Sequence, residues 1–256
     1  MKPVLILQVR PESVAADDEY AAILAKGGLA AEETRRIRLE REPDHPALSP
    51  ERVLEEHAAI VVGGGPGCVS DPAEGKSEDD RRIEGALDRL MPRVLEADFP
   101  FLGCCYGIGL LASRLGAEVS KARYGEPVGA VDCTLTAAGR DDPLLEGLPE
   151  RFRAFVGHKE AVQALPRGCA HLVASAPCPY QMIRHGRRVY ATQFHPEADS
   201  AGFATRISVY RDAGYFPPEE ADALLAACRA EDVHVPERIL RRFVARHRET
   251  GRSTSA

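Results

Sequence analysis

No run of apolar residues in this 256-residue chain approaches the length a membrane-spanning helix needs, which is about 18 to 20. The N-terminal stretch Met1-Lys-Pro-Val-Leu-Ile-Leu-Gln-Val9 is too short for a signal peptide and lacks a cleavage site, so it reads as a first strand. No excess of one charge dominates. The net charge is −6 with acidic and basic residues intermixed, which argues against nucleic acid or an anionic membrane as the main partner. The locally basic stretch 238–252, with Arg241, Arg242, Arg246 and Arg248, reads as the solvated face of a helix. The seven cysteines are odd in number and contain no Cys-x-x-Cys pair. That speaks against a disulfide framework or a zinc site and fits a reducing, cytoplasmic setting with no metal. Phosphate-binding signatures are absent too. There is no P-loop, and Gly63-Gly-Gly-Pro-Gly67 lacks the Gly-x-Gly-x-x-Gly order, while its proline removes a donor. No cofactor is expected, and no internal repeat is present.

What remains is an ordinary globular composition, 44% hydrophobic and 28% charged. The length suits one large α/β domain, with or without an appendage. In the first half, short apolar runs alternate with helical stretches. Val4–Val9 reads as a strand, Val14–Lys26 as a helix ended by Gly27-Gly28, and Ala58–Val62 as a second buried strand before a glycine-rich turn. An amphipathic segment near Ser77–Ala97 and the apolar run Phe99–Leu102 follow. This alternation implies a doubly wound, mostly parallel sheet with flanking helices, whose ligands bind beyond the carboxyl ends of the strands.

The second half is richer in strand signals: Val128–Thr136, Arg153–Val156, His171–Ser175, Tyr180–Arg184 and Arg188–Phe194, with a hairpin turn at His185-Gly-Arg187. Helices starting at prolines are expected over Pro218–Ala230 and Pro236–Arg248, and a disordered polar tail over 249–256. The organisation expected is a domain over 1–197 and a helical C-terminal extension over 198–256, packed on that domain.

Chemistry concentrates at Gly103-Cys-Cys-Tyr-Gly107, where a buried strand stops and a helix-like stretch restarts. A side chain on such a turn projects from the sheet edge, and the neighbouring helix N-terminus favours thiolate over thiol. Cys105 is thus a candidate nucleophile. Cys104, on the strand side, reads as a packing residue. His195 directly follows the strand ending at Phe194, and Glu197 lies within reach to orient its ring. Gly63-Gly-Gly-Pro66 and the amide of Tyr106 offer N–H donors for an oxyanion. On the residues alone, the set reads either as a Cys–His–Glu triad or as a packed cysteine with a loop histidine.

Three segments in this order, Gly64-Gly65-Pro66, Gly103-Cys104-Cys105-Tyr106-Gly107 and Gln193-Phe194-His195-Pro196-Glu197, resemble the class I (triad) glutamine amidotransferases. The nearest members are the glutaminase domains of GMP synthetases. Val156-Gly-His-Lys-Glu-Ala-Val162 is similar to the family's Ser-His-Gly-Asp-Lys-Val segment. The resemblance spans roughly residues 58 to 197. It implies Cys105 as nucleophile, His195 as proton shuttle and Glu197 as its orienter, with Gly65 and Tyr106 forming the oxyanion hole. Substrate-binding roles are implied for Gly64, Gly109, Gly157 and His158. The activity implied is glutamine hydrolysis through a thioester, giving glutamate and ammonia for a separate synthetase.

Two departures bear on substrate. The family's glutamine four residues after the nucleophile is Gly109 here, and its pocket serine is Gly157. An alternative is a γ-glutamyl hydrolase or peptidase using the same triad, with Gly109 and Gly157 leaving room for a larger leaving group. A non-catalytic regulatory protein is a third reading. No synthetase or ATP-binding segment is expected after the last helix, so either the acceptor is a separate chain or the enzyme is a stand-alone hydrolase.

Overall fold

The computed structural model describes residues 1–212 and 216–249. In chain order, the first half holds β1 (Val4–Gln8), α1 (Ser13–Gly27), β2 (Thr34–Arg38), α2 (Pro50–Glu56), β3 (Ala59–Val62), α3 (Glu78–Glu96), β4 (Phe101–Cys104) and α4 (Tyr106–Arg114). The second half holds β5 (Val119–Ser120), β6 (Glu126–Leu135), α5 (Ala137–Arg140), β7 (Arg151–His158), β8 (Ala161–Val162), β9 (Cys169–Ser175), β10 (Met182–His185) and β11 (Val189–Thr192). Helices α6 (Ser200–Val209), α7 (Ala221–Ala230) and α8 (Val235–Glu249) close it. Among the described residues, no helix is long and apolar enough to cross a membrane.

Nine strands form one sheet in the order β2-β1-β3-β4-β11-β10-β9-β6-β7. The first five are mutually parallel, and the remainder join antiparallel. The sheet is the mixed, mostly parallel kind with helices on its faces that the alternating pattern implies. Its parallel strands β1, β3, β4 and β11 are buried at every position, as expected where helices cover both faces. Strands β4 and β11 lie side by side, Thr192 opposite Cys104. That pairing brings the cysteine turn beside the segment 193–197.

Local signals explain several boundaries. Ser77 accepts a hydrogen bond from Asp80 N at 3.0 Å while Asp80 reaches back to Ser77 N at 3.1 Å, a capping box that starts α3. Helix α1 ends where Gly28 takes φ 66°, open to glycine without strain. Between β10 and β11, Gly186 has φ 57° and Asp98 Oδ1 accepts from Arg187 N and Arg188 N, both at 3.0 Å.

Among the elements that the sequence pattern did not display are β2 and α6. Strand β2, Thr-Arg-Arg-Ile-Arg, is the sheet edge and only its last two residues are buried, so it lacks an apolar run. Helix α6 lies within the segment 198–234 and buries Gly202, Phe203, Arg206 and Ile207. Helix α8 contributes Ile239, Leu240, Phe243 and Val244 to a core shared with β1, β3 and β4. The tail from 250 onwards lies outside the described residues.

Candidate functional site

At the end of β4, Cys105 takes φ 52° and ψ −90°, and α4 begins at the next residue. A conformation so rare for a side-chain-bearing residue costs on the order of 1–3 kcal/mol and persists only where its surroundings hold it. Here Cys105 N donates to Thr192 O at 2.7 Å, and Ile108 N donates to Cys105 O at 3.1 Å. The flanking glycines have a direct cause. A Cβ at Gly103 would lie 2.8 Å from Gly107 Cα, so strand and helix meet backbone to backbone.

Gly64 shows how the site converges. A Cβ there would lie 2.6 Å from His195 Cε1, 2.9 Å from Arg10 Nη2 and 3.4 Å from Cys105 Cβ. One point at the sheet edge therefore touches all three side chains. His195 Nδ1 pairs with Glu197 Oε1 at 2.8 Å, and Arg206 Nη2 donates to the same oxygen at 2.8 Å. A carboxylate only accepts, so Nδ1 carries the hydrogen and Nε2 keeps a lone pair. Cys105, His195, Glu197 and Arg206 are all buried.

Burial sets the protonation states. It pushes the Cys105 thiol up to about 12, with Arg10 opposing and Glu197 reinforcing it. Burial also lowers the His195 pKa, with Glu197 pulling the other way. For Glu197, burial is outweighed by His195 and Arg206, which hold the carboxylate well below its usual range. The resting pair is thus a thiol beside a neutral imidazole. Burial thus works against the thiolate that the helix N-terminus favours.

Two further charged residues brace the site. Glu19, fully buried on α1, accepts from Arg10 Nε at 2.8 Å, from Gly64 N at 3.1 Å and from Gln8 Nε2 at 3.1 Å. Arg10, just past β1, also donates to Tyr210 OH at 3.2 Å. Sequence reading missed Arg10, Glu19 and Arg206. A signal existed for Glu19, which shares the buried stripe of Ala15, Ile23 and Gly27 at four-residue spacing.

A narrow cleft opens on one side of Cys105, lined among others by Gly65, Tyr106, Gly109, Gly157 and His158. At Gly65 a Cβ would lie 2.5 Å from Val9 O, so no side chain fits. Among the described residues, the N–H groups of Gly65 and Tyr106 have no acceptor. Gln193, not singled out by sequence, places Nε2 3.9 Å from Cys105 Sγ.

Of the four residues expected on the substrate side, Gly109, Gly157 and His158 line this cleft. Gly64 stands at the Cys105–His195 junction rather than in this cleft, with its N–H engaged by Glu19. The His158 ring is occupied, Nδ1 with Glu160 O at 2.8 Å and Nε2 with Glu126 Oε2 at 2.7 Å. Gly109 and Gly157 both line the cleft, Gly157 also lines the space on the His195 side of Cys105, and each stands close to one neighbour. A Cβ at Gly109 would meet Glu160 Oε1 at 3.1 Å, and one at Gly157 would meet Val128 Cγ2 at 3.0 Å. Glu160 itself accepts from Val69 N and Ser70 N, each at 2.8 Å.

Glu126, His158 and Cys178 bring three metal-ligating atoms within 4.8 Å of one another. Glu126 and His158 already bond each other, and Glu126 also accepts from Gln181 Nε2 at 2.6 Å and Ser175 Oγ at 3.2 Å.

The glutamine amidotransferase class-I family pattern matches residues 31–208, more than half the chain. A GMP synthase (glutamine-hydrolysing) of Thermosipho africanus is 32% identical over 154 residues, 59% of this chain and 26% of that protein. The chain thus spans about a quarter of the length of such relatives. One subunit of the glutamine-hydrolysing GMP synthase of Haloquadratum walsbyi is 30% identical over 150 residues, 58% of this chain and 71% of that one. In fold, the chain is similar to a solved glutamine amidotransferase of Thermotoga maritima, with a TM-score of 0.72 and 22% identity, covering 96% of this chain and 98% of that one. With its cysteine turn and its histidine–glutamate segment meeting at one sheet edge inside the matched region, the chain belongs to the class-I glutamine amidotransferases.

Proposed function

We propose that the chain hydrolyses the side-chain amide of glutamine through a thioester on Cys105. His195 Nε2 takes the thiol proton as Sγ attacks the amide carbon, then delivers it to the leaving nitrogen as the C–N bond breaks. The oxyanion lies against the N–H groups of Gly65 and Tyr106. Glu197 holds the ring through Nδ1 and stabilises it while it carries the extra proton, and Arg206 positions Glu197. Water then attacks the thioester, His195 returns a proton to Sγ, and glutamate leaves.

The observation that carries this reading is the convergence at Gly64. Cys105, and the histidine anchored by Glu197, surround one point less than 4 Å from each. A neutral thiol beside a neutral imidazole suits transfer of the proton in step with attack. The ammonia acceptor is proposed to be a separate synthetase, by analogy with the Haloquadratum walsbyi relative, which is named as one subunit of its synthase.

The test is glutamate and ammonia release from glutamine by the purified chain and by Cys105→Ala. Release by the parent and none by the variant is the expected result. Equal release by both would overturn the assignment.

A further inference from the structure

The cleft beside Cys105 is held from behind by a buried polar pair that the mechanism above does not use. Glu126 and His158 face each other across β6 and β7, where the pairing shifts register before Gly129. Both are buried, although His158 lines the cleft. The ring has no nitrogen left for a substrate. Its Nδ1 lies 2.8 Å from the carbonyl oxygen of Glu160, which only accepts, so Nδ1 donates. Its Nε2 lies 2.7 Å from Glu126 Oε2. Behind the pair, Glu126 accepts from Gln181 Nε2 at 2.6 Å, and Gln181 O accepts from Gln193 N at 2.8 Å. The pair is therefore anchored to the segment that carries His195.

Through Glu160 the pair reaches two segments that line the cleft. His158 fixes the Glu160 carbonyl, and the Glu160 carboxylate accepts from Val69 N and Ser70 N, each at 2.8 Å. One lining segment is Gly157 to Ala161, and another contains Gly67 and Cys68, just before Val69. A single chain of hydrogen bonds from Glu126 through His158 and Glu160 to Val69 thus joins the sheet to both. The oxyanion end is fixed separately. Gly64 N donates to Glu19, and Gly65 packs against Val9 O, 2.5 Å from where a Cβ would lie. A break in the chain of bonds therefore loosens the cleft while the sulfur and the oxyanion donors stay in place.

We propose that Glu126 and His158 are positioning residues for the cleft that takes glutamine, acting through Glu160 rather than by touching the substrate. This rests on the thioester reading above. What position 126 must supply is a hydrogen-bond partner for Nε2. Glu126→Gln keeps one: the new amide donates to Nε2, and Gln181 turns its own amide so that Oε1 accepts. That oxygen is buried and has no hydrogen-bond partner among the described residues. Glu126→Leu removes the partner and leaves Nε2 buried and unpaired. Combined with His158→Phe, it removes both polar groups at once, which spares the fold but frees the Glu160 carbonyl.

The experiment measures kcat and KM for glutamine, the Kd for glutamine in a Cys105→Ala background by calorimetry, and the rate at which iodoacetamide alkylates Cys105. Alkylation needs the thiol but not the glutamyl pocket. Glu126→Leu and the Glu126→Leu/His158→Phe double variant are expected to raise KM and Kd at least tenfold. In both, kcat is expected within threefold and alkylation within twofold of the parent. Glu126→Gln is expected to keep KM within threefold. Where Glu126→Leu alone does not fold, the double variant, with no buried group left unpaired, carries the test. A folded double variant with KM and Kd within threefold of the parent would overturn the proposal and leave the thioester reading standing. A joint fall in kcat, alkylation and glutamine affinity would mark the pair as merely structural and overturn it too. Hydrolysis undiminished in Cys105→Ala would instead remove the thioester reading and the proposal with it.

Discussion

At the scale of single residues, the site depends on close approach. Because a methyl at Gly64 would collide with His195 and Arg10, Gly64→Ala is expected to displace the imidazole while the chain still folds. A misplacement of about 1 Å costs on the order of a hundredfold in rate. Glutamine turnover should therefore fall by about that factor, with circular dichroism unchanged; turnover within twofold of the parent would contradict the packing. The His195 pKa lies below its ordinary 6.5, held down first by burial. Since the neutral ring is the base, activity should persist as pH falls through 6.5 and be lost only below it. A pH profile of kcat/KM whose acid limb has its midpoint at or above 6.5 would refute this. Cys105, His195 and Glu197 were legible because each lies in a short motif. Arg10 and Arg206 were not, because each acts on residues that the chain brings near only on folding. Arg10 meets Tyr210, 200 positions away, and Arg206 sits among apolar α6 residues with nothing local to explain it.

At the scale of elements, helix α6 ties the C-terminal part to the site. It packs on α1 and α7 and supplies Arg206, with Phe203 and Ile207 lining the space on the His195 side of Cys105. Its sequence, Ser-Ala-Gly-Phe-Ala-Thr-Arg-Ile-Ser-Val, hides the buried stripe because one member is an arginine whose partner, Glu197, lies outside the helix. Strand β2 was obscure for a related reason. Its arginines bond across the edge, Arg36 to Gln8 and Asp17, so an edge strand carries charge where a central one carries valine. Helix α8 was readable from the proline at its start. Phe243 is fully buried and meets Tyr190 edge-on with ring centroids 6.4 Å apart. Phe243→Ala is expected to cost about 3–5 kcal/mol in denaturant unfolding. A change under about 1 kcal/mol, the size of an ordinary surface substitution, would show that α8 is not part of the shared core.

At the scale of the whole molecule, the sheet is the device that assembles the site. Parallel strands β1, β3, β4 and β11 all end at one edge, and just past those ends stand Arg10, Gly64, Cys105 and His195. Alternating strands and helices made that edge foreseeable from the sequence. The order of strands was not, since β11 is the last in the chain yet lies beside β4 in the middle of the sheet. Only that crossover brings 193–197 against the cysteine turn. Cavities were equally out of reach of motif reading. Gly109 and Gly157 pointed to spare volume; Glu160 stands against Gly109, whereas Gly157 lines the space on both sides of the sulfur.

The central claim, that Cys105 is the nucleophile toward a γ-glutamyl amide, is tested most directly by labelling with a diazoketone analogue of glutamine. Intact-mass and peptide mass spectrometry would locate the adduct among the seven cysteines. One adduct per chain, on Cys105, blocked by excess glutamine and lost in Cys105→Ser, is the expected result. No adduct, or one carried by another cysteine, would contradict it.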